Sequence, residues 1–173
     1  NVNGMVGKFV FDEKQNVQFL TQTDIKLKVD YDGQEFLRWT LTAPNGVQYI
    51  FGENNAKEVN ALVGSGDKDN MAPTAWYLNR IIYPGSNDTL SIEYNTAGYS
   101  YNALTSEFTT ADDSASLSTK IPEGNYEQYS VIGVMPKKIQ SKNISVNFLA
   151  YSDLRKDVNN ARPLNEIQII NKN

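Results

Sequence analysis

Residues 74–94, TAWYLNRIIYPGSNDTLSIEY, decide how this chain folds. The first arm carries Trp76, Tyr77, Ile81, Ile82 and Tyr83, aromatic and β-branched side chains that suit a pleated surface far better than a helix. In the second arm Leu90, Ile92 and Tyr94 alternate with Thr89, Ser91 and Glu93, the period-two pattern of a strand with one buried side. Between them, Pro84-Gly85-Ser86-Asn87-Asp88 offers a fixed φ and a residue tolerant of positive φ, the ingredients of a turn. The stretch reads as one long β-hairpin.

Working outward, the same grammar recurs. An arm with Leu37, Trp39 and Leu41 meets the turn Ala43-Pro44-Asn45-Gly46 and returns through Val47, Tyr49 and Phe51. Another, with Ile139, meets Ser141-Lys142-Asn143 and returns through Ile144, Val146 and Phe148. Upstream, residues 8–11 and 17–21 form a first strand pair, and Ile25, Leu27, Val29 and Tyr31 alternate with Lys26, Lys28 and Asp30. Asp32-Gly33 follows at once, a strong hairpin signal because type I′ turns need positive φ at both central residues. The expected fold is a single all-β domain over residues 1–173, its long antiparallel hairpins forming a meander or a sandwich-like sheet.

Elsewhere the signal is weaker. Residues 57–63 fit a short edge strand or a helical turn, and 64–70 read as a loop. Within an excursion over 98–130, the Ser/Thr/Asp-rich middle, 105–119, reads as a mobile loop or a ragged hairpin tip, and 152–162 as a polar connector. The last arm, 163–170, has Leu164, Ile167, Ile169 and Ile170 and is expected to pair with the 144–151 arm. It has no return strand and reads as half of a repeat, so its outer edge is expected to pair with other chains.

Composition limits the function classes. A net charge of −4 and the absence of a basic cluster argue against nucleic acid and against docking on anionic lipid. With no Cys, disulfides and thiolate chemistry are excluded; with no His, so are Ser-His-Asp triads and the commonest zinc ligand. No apolar run approaches the roughly 20 residues of a membrane-spanning helix, so direct membrane insertion is not expected. A start at Asn1 rather than Met leads us to expect a piece of a longer protein.

Four stretches carry a resemblance: Asn1-Val2-Asn3-Gly4 with Gly7-Lys8-Phe9; Ala43-Pro44-Asn45-Gly46-Val47-Gln48-Tyr49-Ile50-Phe51-Gly52; Thr74-Ala75-Trp76-Tyr77-Leu78; and Tyr151-Ser152-Asp153-Leu154-Arg155. Together, and in this order, they resemble the region preceding the repeats in secreted YD-repeat (RHS-like) proteins of Bacteroides-type bacteria. The resemblance implies a degenerate RHS/YD-type repeat, a secreted or cell-surface location, and long-hairpin sheets that wrap a C-terminal cargo, often a toxin. Tyr31-Asp32-Gly33 departs from the Tyr-Asp-x-x-Gly repeat consensus, and neither a tandem array nor a cargo domain is recognisable, so shell building and delivery belong to the parent protein.

The candidate sites are few. Asp67, Asp69 and Asn70 cluster oxygen ligands in a glycine-bearing loop that could hold calcium, but the EF-hand spacing and closing Glu are missing, so a solvated loop is the competing reading. Asp112-Asp113 is a sparser acidic pair in the Ser/Thr tract. Glu35, Glu58, Glu93, Glu107 and Glu123 could supply a glycosidase pair, yet no acid/base constellation accompanies them, and Glu93 sits where any solvated sheet places charge. Trp39, Trp76, Tyr49 and Tyr77 have dense apolar neighbours and read as core. Tyr99 and Tyr101 share a strand face beside a polar tract and are the residues expected to meet a ligand. Asn87 and Asn143 fit the glycosylation sequon, but both fall at expected hairpin tips. The sequence thus predicts a non-enzymatic structural module without cofactor, partnered by the rest of its parent protein; the alternative is a β module that binds carbohydrate or a surface ligand through exposed tyrosines.

Overall fold

The computed structural model describes residues 7–33, 36–63, 72–86, 88–108, 123–156, 158 and 160–172. Twelve strands follow one another, with a single 3-10 turn and no α-helix among the described residues: β1 (Phe9–Phe11), β2 (Val17–Phe19), β3 (Lys26–Tyr31), β4 (Phe36–Thr42), β5 (Gln48–Phe51), β6 (Lys57–Val63), β7 (Ala72–Trp76), β8 (Leu78–Ile82), β9 (Thr89–Phe108), β10 (Glu123–Gln140), β11 (Ile144–Ala150) and β12 (Leu164–Asn171). Every pairing is antiparallel. β1 and β2 form a two-stranded sheet of their own, and the rest join a ten-stranded sheet whose main path runs β12-β11-β10-β9-β8-β5-β4-β3.

Side-chain alternation lays out one apolar face along that path. Cross-strand partners share a face, so the register links Leu27, Leu41, Tyr49, Ile81 and Leu90 in a row across β3, β4, β5, β8 and β9. Ile92, two residues on from Leu90, continues the same face through Ile139, Val146 and Ile169 on β10, β11 and β12. Burial is uneven along it: Tyr49 is 8% exposed and Ile169 is 75% exposed. The centre of packing lies at the β4–β5 turn, where Ala43, Val47 and Tyr49 are buried against Leu41, Phe51, Leu78 and Ile81.

The small β1–β2 sheet is fastened by its aromatic residues. The Asp12 carboxylate accepts backbone N–H bonds from Lys14 at 2.9 Å and Asn16 at 2.8 Å, fixing the turn. This presents Phe9 and Phe11 to Trp39, ring centroids 5.6 and 6.0 Å away, while Phe11 stacks on Phe36 at 4.8 Å. Trp39 in turn meets Trp76 edge-on at 5.2 Å, and the Trp76 indole N–H donates to Phe36 O at 3.1 Å. Trp39, Trp76, Tyr49 and Tyr77 are all half-buried or buried, as their apolar surroundings in the sequence predict.

Three expectations need correction. The 74–94 hairpin is paired only at its turn end, from Arg80–Ser91 to Ile82–Thr89. Upstream of Leu78 the first arm leaves β9 and pairs with β6 instead, Lys57 opposite Trp76 and Glu58 opposite Ala75. Residues 57–63 are therefore neither helical nor at an edge: β6 lies between β7 and β10, with Asn60 opposite Val131 and Val59 opposite Ile132. Residues 105–108, read as the start of a loop or ragged hairpin tip, are strand, because β9 and β10 stay paired from Ser91–Gln140 out to Phe108–Glu123; the rest of that tract, 109–119, lies outside the described residues. Polar residues in this ladder satisfy their backbone groups by pairing and need little apolar burial. The Asp32-Gly33 and Asn45-Gly46 hairpins form, though without type I′ turns, since in these two dipeptides only the glycines have positive φ and four residues separate Tyr31 from Phe36; β12 pairs with β11 along its length.

These pairings close on themselves. β7 and β8 are one run broken only at Tyr77; β8 pairs with β9, β9 with β10, β10 with β6, and β6 with β7. The join is made at Tyr77, whose N–H donates to Ala56 O at 2.9 Å and whose C=O accepts from Gly52 N–H at 3.0 Å, so the 3-10 turn Glu53–Asn55 is looped out as an oversized bulge. Gly52 makes this possible: its φ is 82°, and a β-carbon there would lie 2.6 Å from Trp76 Cδ1. The looped-out Glu53 bridges Arg38 at 3.0 Å and Arg80 at 2.7 Å, and Arg38 also meets Asp30 at 2.5 Å. Burial pushes the Glu53 carboxyl up, but the bonds from Arg80 and Arg38 outweigh it and hold the group below its ordinary range.

Candidate functional site

The paired region of β6, β9 and β10 gathers tyrosines around one carboxylate. Asn60, Val131 and Tyr99 lie abreast across the three strands, and Tyr129 lies opposite Tyr101 in the next same-face row. Glu58 shares this face with Asn60 by alternation. The Glu58 carboxylate accepts from Thr74 Oγ1 at 3.2 Å and from the Tyr77 hydroxyl at 3.4 Å. Tyr77 packs on Tyr94 at 5.7 Å, and the Tyr94 hydroxyl donates to Leu78 O at 2.7 Å.

Tyr99 is half-buried and Tyr101 is 44% exposed. The Tyr99 ring lies over Gly133, where a β-carbon would come within 2.8 Å of Cε1, so the absence of a side chain at 133 is what lets the ring lie down on β10. Tyr101 stacks on Tyr129 with centroids 5.5 Å apart and planes 16° from parallel, and the Tyr129 hydroxyl donates to Glu127 at 3.0 Å. The sequence brings Tyr99 and Tyr101 to one face, as expected; Tyr129, Glu58 and Tyr77 join them only through the register. No local pattern around Tyr129 marks it, because its place depends on how far the β9–β10 hairpin extends beyond Gly98.

The electrostatics keep these phenols protonated. Burial, then the Glu58 carboxylate, raise the Tyr77 and Tyr99 hydroxyl pKa above the ordinary value, and burial followed by Tyr77 does the same for Tyr94. The hydrogen bond to Glu127 raises Tyr129. On this face the Tyr77, Tyr94 and Tyr129 hydroxyls are committed to Glu58, Leu78 O and Glu127, and Tyr101 is its most open ring.

The other candidates fare differently. Asp67, Asp69 and Asn70 lie outside the described residues, as do Glu35, Asn87 and Asp112-Asp113. Among the described residues no group of three or more Asp or Glu is placed to hold a metal ion. Glu93 is exposed and pairs with Lys137 at 3.3 Å, the solvated-sheet role its sequence position suggests. A concavity of about 440 Å³ opens between β9, β10, β11 and the start of β12, lined by Thr96, Met135, Pro136, Phe148, Ala150 and Leu164 with Arg162 at its side. Arg162 is held there by the carbonyls of Tyr151 and Ser152.

No family model, curated protein or solved structure matches this chain.

Proposed function

We propose that this chain is a non-enzymatic structural module of a secreted or cell-surface YD-repeat (RHS-like) protein. The observation that supports the reading is the continuous apolar face of the ten-stranded sheet, which is buried at Tyr49 and open at Ile169 on β12. Among the described residues the buried apolar side chains are Ala43, Val47, Tyr49, Ile50, Ala56, Val131 and Ala161, mostly small. A sheet of this breadth with so small a core is built to be completed by further β structure from the same protein. The test is to raise antibodies to the chain and follow the protein in its producing cells. The reading requires a large polypeptide in the medium or at the cell surface; a cytosolic species of 19.4 kDa would overturn it.

A second reading, a carbohydrate-binding β module, is favoured by one feature, the stacked and partly exposed Tyr101–Tyr129 pair beside Glu127. It predicts a saturable glycan-array signal that is lost in Tyr101→Ala and in Tyr129→Ala. A blank array with folded protein would remove it.

A further inference from the structure

Among the described residues β12 lies at the end of the ten-stranded sheet's main path and pairs with β11 alone. Its apolar side chains are open: Leu164 is 53% exposed, Ile167 52%, Ile169 75% and Ile170 46%. A register shift at Leu149–Ala150 inserts Asn165 as an extra residue, so Leu164, opposite Ala150, joins Ile167 and Ile169 on the apolar face. Unpaired edges of this kind are usually blunted by charge, and here the charges are Glu166 near the start of the strand, which accepts from Gln168 Nε2 at 3.1 Å, and Lys172 just past its end, whose ammonium donates to Ser141 O at 3.1 Å and must exchange that exposed bond to reach a partner across the edge.

The backbone limits what can pair with this edge. Lys172 N–H donates to Asn143 O at 2.8 Å, and in an antiparallel ladder the residues that bond to a given neighbour alternate. Even-numbered Glu166, Gln168 and Ile170 therefore turn their N–H and C=O toward β11, and odd-numbered Ile167, Ile169 and Asn171 turn theirs outward. A second β12 running antiparallel must match odd residues to odd residues. Among the registers this permits, one places Ile169 opposite its own copy, Ile167 opposite Asn171, Gln168 opposite Ile170, and Glu166 opposite Lys172, twice. A shift of the pairing by one permitted step, to Ile167 opposite Ile169, sets Glu166 against Ile170 instead.

We propose that β12 pairs antiparallel with β12 of a second copy of this chain, the two-fold axis passing at Ile169. In this register about six outward main-chain hydrogen bonds form, and the two gatekeeping charges neutralise one another across the axis. The apolar face then runs unbroken through both copies. The charges that would repel a generic strand select this one. The proposal rests on the β12 edge and not on the family reading, and it would stand in a chain of any family.

Sedimentation equilibrium of the chain, of Glu166→Lys, of Lys172→Glu and of the double swap tests it. The unaltered chain should show a concentration-dependent monomer–dimer equilibrium. Each single reversal sets two like-charge pairs across the axis and should weaken the dimer by about tenfold; the double swap should restore it. Because the chain has no cysteine, a mixture of Gln168→Cys and Ile170→Cys proteins should also cross-link as heterodimers faster than either variant alone. A chain that stays monomeric at millimolar concentration overturns the proposal. A dimer indifferent to both single reversals, or one not restored by the swap, overturns the register.

Discussion

Replacing Gly52 by alanine should be among the most damaging single-methyl additions to this chain. Gly52 is buried, its φ is 82°, and an added β-carbon would sit 2.6 Å from Trp76 Cδ1 and 2.9 Å from Leu37 O. Neither neighbour yields easily: Leu37 O is main chain in β4, and the Trp76 ring is tethered by its bond to Phe36 O at 3.1 Å. The left-handed backbone alone costs a non-glycine residue about 1–2 kcal/mol, and forcing a methyl into filled space adds about 1–3 kcal/mol. Gly85→Ala is the matched control, since Gly85 has φ 69° but nothing within 4 Å of its added carbon. Urea denaturation should therefore place Gly85→Ala about 1–2 kcal/mol below the unaltered chain, and Gly52→Ala a further 1–3 kcal/mol below that. Equal losses for the two variants would refute the close approach of Trp76 and Leu37 as the reason for glycine at 52.

Glu53→Gln should destabilise the fold by about 1–2 kcal/mol at neutral pH, because one amide cannot replace a carboxylate shared by Arg38 and Arg80. The folded Glu53 pKa lies below its ordinary 4.5, so its contribution is complete above that pH and lost as pH falls through the folded value; the two proteins' denaturation midpoints should converge in acid. Gly133→Val should lift the Tyr99 ring from β10, seen as a changed near-ultraviolet circular dichroism spectrum with a stability loss of about 1–3 kcal/mol. Ser145→Ala should be neutral or stabilising by up to about 1 kcal/mol, since Ser145 is 3% exposed and its hydroxyl makes no hydrogen bond; thermal melting would show a loss if that assignment were wrong.

What the sequence revealed was local. Alternation in residues 25–31 and 89–94, and the Asp32-Gly33 and Asn45-Gly46 turns, specify strands and hairpins because each signal lies within a few residues. The faces followed too: Trp39 with Phe51, and Leu41 with Tyr49, pair as their alternation implies. The partner of β6 was hidden, because Val59 meets Ile132 and no property of residues 57–63 encodes a contact so remote in sequence. For the same reason Trp76 and Tyr77 left the hairpin their aromatic content suggested; the switch is made at the Gly52–Ala56 bulge, which reads in sequence only as a short polar break. Of the tyrosine face, Tyr99 and Tyr101 were legible as an alternating pair. Tyr129 and Glu58 arrive through register set at the far end of two strands.

The closed circuit of β6, β7–β8, β9 and β10 also imposes an order on synthesis. β6 can pair with β7 as soon as residue 76 emerges, but its other edge waits for residues 128–132 of β10. At ribosomal rates, the interval between Val59 and Ile132 is roughly 4–15 s. Throughout that time Val59, Ala61 and Val63 belong to a strand with one unmet edge, and a chaperone or a neighbouring nascent chain can reach it before β10 does. Variants that slow translation between residues 64 and 122 would lengthen this exposure without altering a single contact of the finished protein.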